Sequence, residues 1–165
     1  MKRTIFALLT LSTLIFSCSS DKEDQGPQGQ EAIVGTWQAT ELKIDNETAS
    51  DEAKFGRDIL NHLTAKDCYI LSLTFYADLS VILESSANYL EINATSTGLD
   101  VPCPTEVDTE TSTYTYDGEV ITYVDTDSTS KMISATIEGN IMRVDAADLD
   151  IPNFNASGEL LFVRK

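Results

Sequence analysis

Thr111-Ser112-Thr113-Tyr114-Thr115-Tyr116-Asp117-Gly118-Glu119-Val120-Ile121-Thr122-Tyr123-Val124 reads as two short strands about a turn. Tyr and β-branched residues fill both arms, and Asp-Gly suits the positive φ of a type I′ turn between antiparallel strands. The pattern recurs on either side. Residues 131–138 and 141–145 flank Gly139-Asn140 as a second hairpin, and 158–164 form a closing strand. Upstream, Tyr69, Leu71, Leu73 and Phe75 alternate with Ile70, Ser72, Thr74 and Tyr76, the period of a half-buried strand. Asp78 starts a tight turn into a strand over 80–84. A weaker strand is expected at 89–94, followed by a long acidic loop over 95–110.

The first strand is expected over 33–43, opened by Gly35. One helix follows it. Thr48 or Ser50 can cap it, and Asp51 and Glu52 occupy the first turn, where the helix dipole favours acids. Phe55, Ile59, Leu60 and Leu63 fall on one face at i, i+4, i+5 and i+8, which predicts a helix over 51–65 and no other in the exported chain. Eight or nine short strands joined mostly by hairpins, with one short helix between the first two, make an all-β chain. An up-and-down antiparallel β-barrel is the expected fold, because closure leaves no sheet edge exposed.

The N-terminus has its own logic. Lys2 and Arg3 precede an apolar run from Ile5 to Phe16, a charged region and an apolar core too short to span a bilayer. Ile15-Phe16-Ser17-Cys18 resembles the lipobox of bacterial lipoproteins. The resemblance implies cleavage after Ser17, diacylglycerol on the Cys18 thiol and a further acyl chain, such as palmitate, on its freed amine. An ordinary secretory signal is the alternative, but it leaves the placement of a cysteine where the apolar run stops to chance. Residues 1–17 are thus expected to be a signal peptide, 18–31 a flexible acidic tether and 32–165 the folded domain. Ser19-Ser20-Asp21-Lys22-Glu23-Asp24, just after the cysteine, resembles the export signal of a class of gram-negative surface lipoproteins, a plain solvated tether being the alternative. An outer-membrane, lipid-anchored protein facing the cell surface is implied, its membrane contact made by lipid.

Gly35-Thr36-Trp37 at the start of the first strand resembles the Gly-x-Trp signature of the lipocalin superfamily, in which the Trp packs across the closed floor of the barrel. Cys68, Leu73-Thr74-Phe75-Tyr76-Ala77-Asp78, Cys103, Tyr114-Thr115-Tyr116-Asp117-Gly118 and Leu161-Phe162-Val163-Arg164-Lys165 look like the bacterial lipocalin-like (calycin) lipoprotein domain. The resemblance spans 33–165. Leu79 stands where that group often has Gly. The 51–65 helix sits where lipocalins carry a variable segment over the open mouth, so a lid is its implied role.

Charge narrows the partners. Twenty-seven acidic against eleven basic residues give a formal charge of −16, and loss of Lys2 and Arg3 with the signal takes it to −18. No Lys or Arg occurs in residues 67–130. Nucleic acid is repelled by such a field and is not an expected partner. With Cys18 acylated, Cys68 and Cys103 remain, and two cysteines in an exported chain read as one disulfide. Two free thiols or a metal pair are the alternatives; one histidine and no Cys-x-x-Cys argue against zinc.

Catalytic chemistry is not signalled. His62 lies four residues after Asp58 on one helix face, which reads as a surface ion pair, since no nucleophile elbow accompanies it. Asp125-Thr126-Asp127-Ser128-Thr129 begins like a calcium loop but has Ser130 at the sixth place and Thr136 at the twelfth. Asp145, Asp148 and Asp150 form another acidic cluster, and Asp127-Ser128-Thr129 also resembles a short O-glycosylation motif. With no phosphate cradle or dinucleotide fingerprint, no cofactor, no metal and no enzyme activity are expected. Trp37, Phe75, Tyr114, Tyr116 and Tyr123 either line a ligand cavity or fill a small barrel. Phe55 and Ile59, with Leu63, are the expected underside of the lid.

Two functions follow. One is a lipid-anchored binding protein for a small apolar or amphipathic ligand. The other is an interaction protein with a filled barrel whose acidic loops meet another surface protein. The anchor itself is testable by fractionation: Cys18→Ser is expected to release the protein from the membrane or block its processing, and unchanged membrane association defeats the lipoprotein reading. Asp21, Glu23 and Asp24 replaced together by Ala should keep the lipid but lower surface exposure in protease shaving of whole cells.

Overall fold

A computed structural model of the chain describes residues 28–96, 98–125, 127–149 and 158–165. The expected signal peptide, Cys18 and the tether up to residue 27 lie outside the described residues. The chain runs α1 (Gln28–Ile33), β1 (Gly35–Lys43), α2 (Asp51–Thr64), β2 (Leu71–Phe75), β3 (Ser80–Ser85), β4 (Asn93–Thr95), β5 (Gly98–Asp100), β6 (Asp108–Tyr116), β7 (Val120–Val124), β8 (Ser130–Glu138), β9 (Ile141–Asp145) and β10 (Glu159–Arg164). Eight strands close into an antiparallel barrel in the order β1-β10-β9-β8-β7-β6-β3-β2. Short 3-10 turns occupy Ala87–Tyr89 and Ala146–Asp148.

The barrel follows from the period of two. On β2, Leu71, Leu73 and Phe75 are buried while Ser72 and Thr74 are half-buried; Tyr114 and Tyr116 on β6, Ile133 and Ala135 on β8, and Met142 and Val144 on β9 repeat it. Side chains on alternate positions share a face, so these residues form one core inside the closed sheet. The expected strand at 89–94 is absent. In its place stand the 3-10 turn and a separate two-stranded hairpin of β4 and β5, outside the barrel. Strand β6 starts at Asp108, three residues inside the expected loop.

The turns show how local chemistry fixes register. Asp117-Gly118 does turn the chain, but not as type I′: Gly118 has φ +109°, while Asp117 keeps negative φ and its carboxylate accepts from the amides of Glu119 (2.9 Å) and Val120 (2.8 Å). Those bonds hold the Asp117 carboxyl below its usual range. At the β2–β3 turn, Leu79 itself adopts φ +70°, the conformation that glycine takes without strain. Asp78 supports it by accepting from the Ser80 hydroxyl (2.6 Å) and amide (3.0 Å).

One end of the barrel is sealed. Trp37 is fully buried and donates from Nε1 to the Ile33 carbonyl at 2.7 Å. The Arg164 guanidinium stacks 4.1 Å over the Trp37 ring and donates to the carbonyls of Ala32 and Val34. Trp37 and Arg164 are direct partners across β1 and β10. A Cβ at Gly35, which has φ +132°, would lie 2.7 Å from the Arg164 guanidinium, so glycine is required there. Helix α1, in a stretch expected to be tether, completes the floor. A Cβ at Gly29 would come within 2.5 Å of the Gly118 amide nitrogen, which is why Gly29 admits this close approach to the β6–β7 turn.

Helix α2 is capped by Ser50, whose hydroxyl accepts from the Ala53 amide at 3.2 Å; Thr48 instead donates to Asp45. Its apolar face serves two surfaces. Leu60 joins the barrel core, whereas Ile59 and Leu63 pack with Cys68 and Val101 in a second cluster. Cys68 and Cys103 form a disulfide, Cα atoms 5.9 Å apart, which joins the end of α2 to the segment before β6. Phe55 is 43% exposed.

Truncation of the floor tests this packing. Trp37→Ala is expected to cost about 3–5 kcal/mol, as for large buried aromatics, read from the denaturant midpoint. A loss below about 1 kcal/mol would contradict the clamp between the first and last strands.

Candidate functional site

The barrel is not filled. A cavity of about 420 Å³ occupies its lumen, within the size range of small-molecule sites. Its lower wall is apolar, with Leu73 and Phe75 from β2, Val81 and Leu83 from β3, Ile121 from β7, Ile133 from β8 and Val144 from β9, and Leu71 stands higher on β2 opposite Ser85. Tyr123 stands higher on β7 and Leu149 follows β9. Toward solvent the lining turns polar, with Ser85, Asn88, Asp108, Glu110 and Asp125.

The opening follows from unequal strands. β6 spans nine residues and β7 five, and they pair only from Tyr114↔Tyr123 to Tyr116↔Ile121. The first half of β6 pairs on its other side with β3, from Ser80↔Thr113 to Ser85↔Asp108. The β6–β7 side is therefore parted above Tyr114, bridged by a hydrogen bond from the Ser112 hydroxyl to the Val124 carbonyl. Glu110, Thr111, Val124 and Asp125 line this notch.

Register then sets which β6 side chains look inward. Leu83 and Glu110 are partners, as are Ser85 and Asp108 and, nearer the floor, Val81 and Ser112. Cross-strand partners share a face. Leu83 faces the lumen, so Asp108, Glu110 and Ser112 do too. Asp108 is tied down: its carboxylate accepts from the Tyr89 hydroxyl at 2.6 Å and the Asn88 amide at 2.8 Å. These bonds hold its carboxyl below the ordinary value, the Tyr89 bond contributing most, and push the Tyr89 phenol up. Asp125 pairs with Lys131 at 2.9 Å. Below the cavity, burial first and then the nearby acids raise the phenols of Tyr114 and Tyr116.

Of the residues expected to touch ligand, Phe75 and Tyr123 line the cavity. Tyr114 packs edge-on against Phe75 with centroids 4.8 Å apart, and its hydroxyl donates to the Tyr76 carbonyl. The Tyr116 hydroxyl sits within bonding distance of the Gly118 and Ala135 carbonyls. With Trp37, these two aromatics belong to the packed lower barrel and not to the cavity wall. Phe55 and Ile59 do not line it either, and neither does any other residue of α2. The helix covers a separate void of about 80 Å³ through Gly56 and Leu60. The implied lid thus presents Leu60 to the barrel, because the disulfide cluster holds Ile59 and Leu63. Sequence reading missed Asp108 and Glu110, whose inward direction appears only once β6 is registered against β3.

The remaining acidic candidates act locally. Asp58 pairs with Arg57 at 2.8 Å and His62 is exposed on α2. Asp127 closes its own turn by accepting from the Thr129 hydroxyl and amide. Asp145 caps the 3-10 turn through the Ala147 amide, and Asp148 accepts from the Ser134 amide; Asp150 lies outside the described residues. Among the described residues, no three His, Cys, Asp or Glu side chains converge as metal ligands. No protein-family model, curated protein or solved structure matches the chain.

Acid should loosen the rim before the barrel. The bonds to Asp108 stabilise the mouth at pH above the carboxyl's unfolded value, and this contribution is lost as pH falls through its lowered folded value. Hydrogen exchange of residues 86–89 is expected to rise in that acid window in the wild type, while Asp108→Asn should show the faster exchange already at neutral pH. An NMR titration midpoint for Asp108 at or above the ordinary carboxylate value would refute the assignment.

Proposed function

We propose that this chain is a lipid-anchored, lipocalin-like binding protein that holds a small apolar or amphipathic molecule in its barrel lumen. The carrying observation is the open cavity of about 420 Å³ with an apolar lower wall. Burial of ligand surface there contributes roughly 25 cal/mol per Å² before the costs of association. The floor that Trp37 closes supports the lipocalin-like reading, since it is what the Gly-x-Trp resemblance implies. Anchoring through Cys18 at the outer membrane, facing the cell surface, rests on the lipobox resemblance and the acidic residues after it. A filled barrel is the basis of the interaction-protein alternative, and the lumen volume weighs against it.

The test is uptake of a neutral apolar fluorophore, N-phenyl-1-naphthylamine, by the full chain in lipid nanodiscs, corrected for empty discs. Saturable uptake is expected, with about tenfold weaker binding in Leu83→Trp, which fills the lumen from β3 while leaving the floor intact. Wild-type protein that takes up no probe, or a Leu83→Trp variant that binds it unchanged, removes the lumen as the site.

A further inference from the structure

The cavity wall has one sign of charge. Among the described residues its lining contains Asp108, Glu110 and Asp125 and no Lys or Arg. Two of the three acids are already engaged: Asp108 with Tyr89 and Asn88, and Asp125 with Lys131. Glu110 differs. Among the described residues its carboxylate forms no hydrogen bond or ion pair, and it stands on the lumen face of β6 opposite Leu83, where apolar wall gives way to solvent. A carboxylate there is exposed to solvent, yet close enough to the apolar wall to meet the polar end of a molecule inserted below it.

We infer that the lumen selects a cationic amphiphile, an apolar body with one protonated amine or similar cation, whose charge is met by Glu110 at the mouth. The inference rests on reading the lumen as a binding site and adds the ligand class. An apolar body satisfies the lower wall, and burying it leaves only its head group to choose a partner at the rim. An anionic head group would lie beside Glu110 and Asp108, where like charges repel. A bare metal ion would leave the apolar lumen empty, and Glu110 alone offers it too few ligands. The field of the whole chain, at formal charge −16, acts in the same sense by drawing cations toward the surface.

The measurement keeps the apolar body fixed and changes the head. Full-length protein in neutral phosphatidylcholine nanodiscs, with empty discs as the blank, is titrated calorimetrically with 1-adamantylammonium, 1-adamantanol and 1-adamantanecarboxylate. The ammonium should bind about tenfold or more tightly than the carboxylate, with the alcohol between them. Glu110→Gln should weaken ammonium binding about three- to fivefold, the scale of a partly exposed ion pair, and leave the alcohol unchanged. Glu110→Lys should favour the carboxylate, and salt should weaken only the charged probes. Equal affinity for all three heads, or an undiminished ammonium preference in Glu110→Gln, overturns the ligand class and leaves the lumen reading standing. Failure of all three probes to bind removes the lumen reading together with the ligand class.

Discussion

A barrel exists only if its first and last strands find each other, and here that pairing is secured by one stacked pair. Arg164 lies across the ring of Trp37 while its guanidinium reaches carbonyls at the end of α1 and just beyond it. Strand pairing alone aligns β1 with β10; the cation over the indole ties the same two strands at the level of the floor. A cation against a desolvated aromatic face gains more than the same pair in water. The contact joins residues more than a hundred positions apart, so it offsets part of the loop-closure entropy that closing the barrel costs.

The floor decides where empty space can be. Phe75, Tyr114 and Tyr116 stack upward from Trp37, and the phenol hydroxyls of the two tyrosines are satisfied by backbone carbonyls of adjoining turns and strands. Large side chains with fixed polar ends leave no room below. Above them the inward residues are Leu, Val and Ile, then Ser, Glu and Asp, and the lumen widens into the cavity. The shortness of β7 is the second determinant, because it leaves the upper half of β6 paired on one side alone.

The period-two strands were legible because each carries one buried face, and the capped helix because its apolar residues fall on one side. Three features were not. Helix α1 is six residues long with a glycine inside, and its existence depends on packing against the Gly118 turn, which no local signal encodes. Strand β5 is exposed along its whole length, so its alternation carries no information. The start of β6 carries no strand signal because Asp108 and Glu110 stand at inward positions, where an apolar residue would mark a strand. The acids that conceal the strand are the ones that give the mouth its character. Composition cannot tell a ring that packs into the floor, as in Trp37, Tyr114 and Tyr116, from one that lines the cavity, as in Phe75 and Tyr123.

Helix α1 also gives the molecule a mechanical polarity. The chain enters β1 through the sealed base, and β10 ends beside it. Tension applied through the residues before Gln28 acts along β1, which is hydrogen-bonded on both sides, to β10 and β2. Such a pull slides β1 against two ladders at once, so many bonds share the load and none is peeled open in turn. The far rim, with its notch and pinned turn, lies off that line of force.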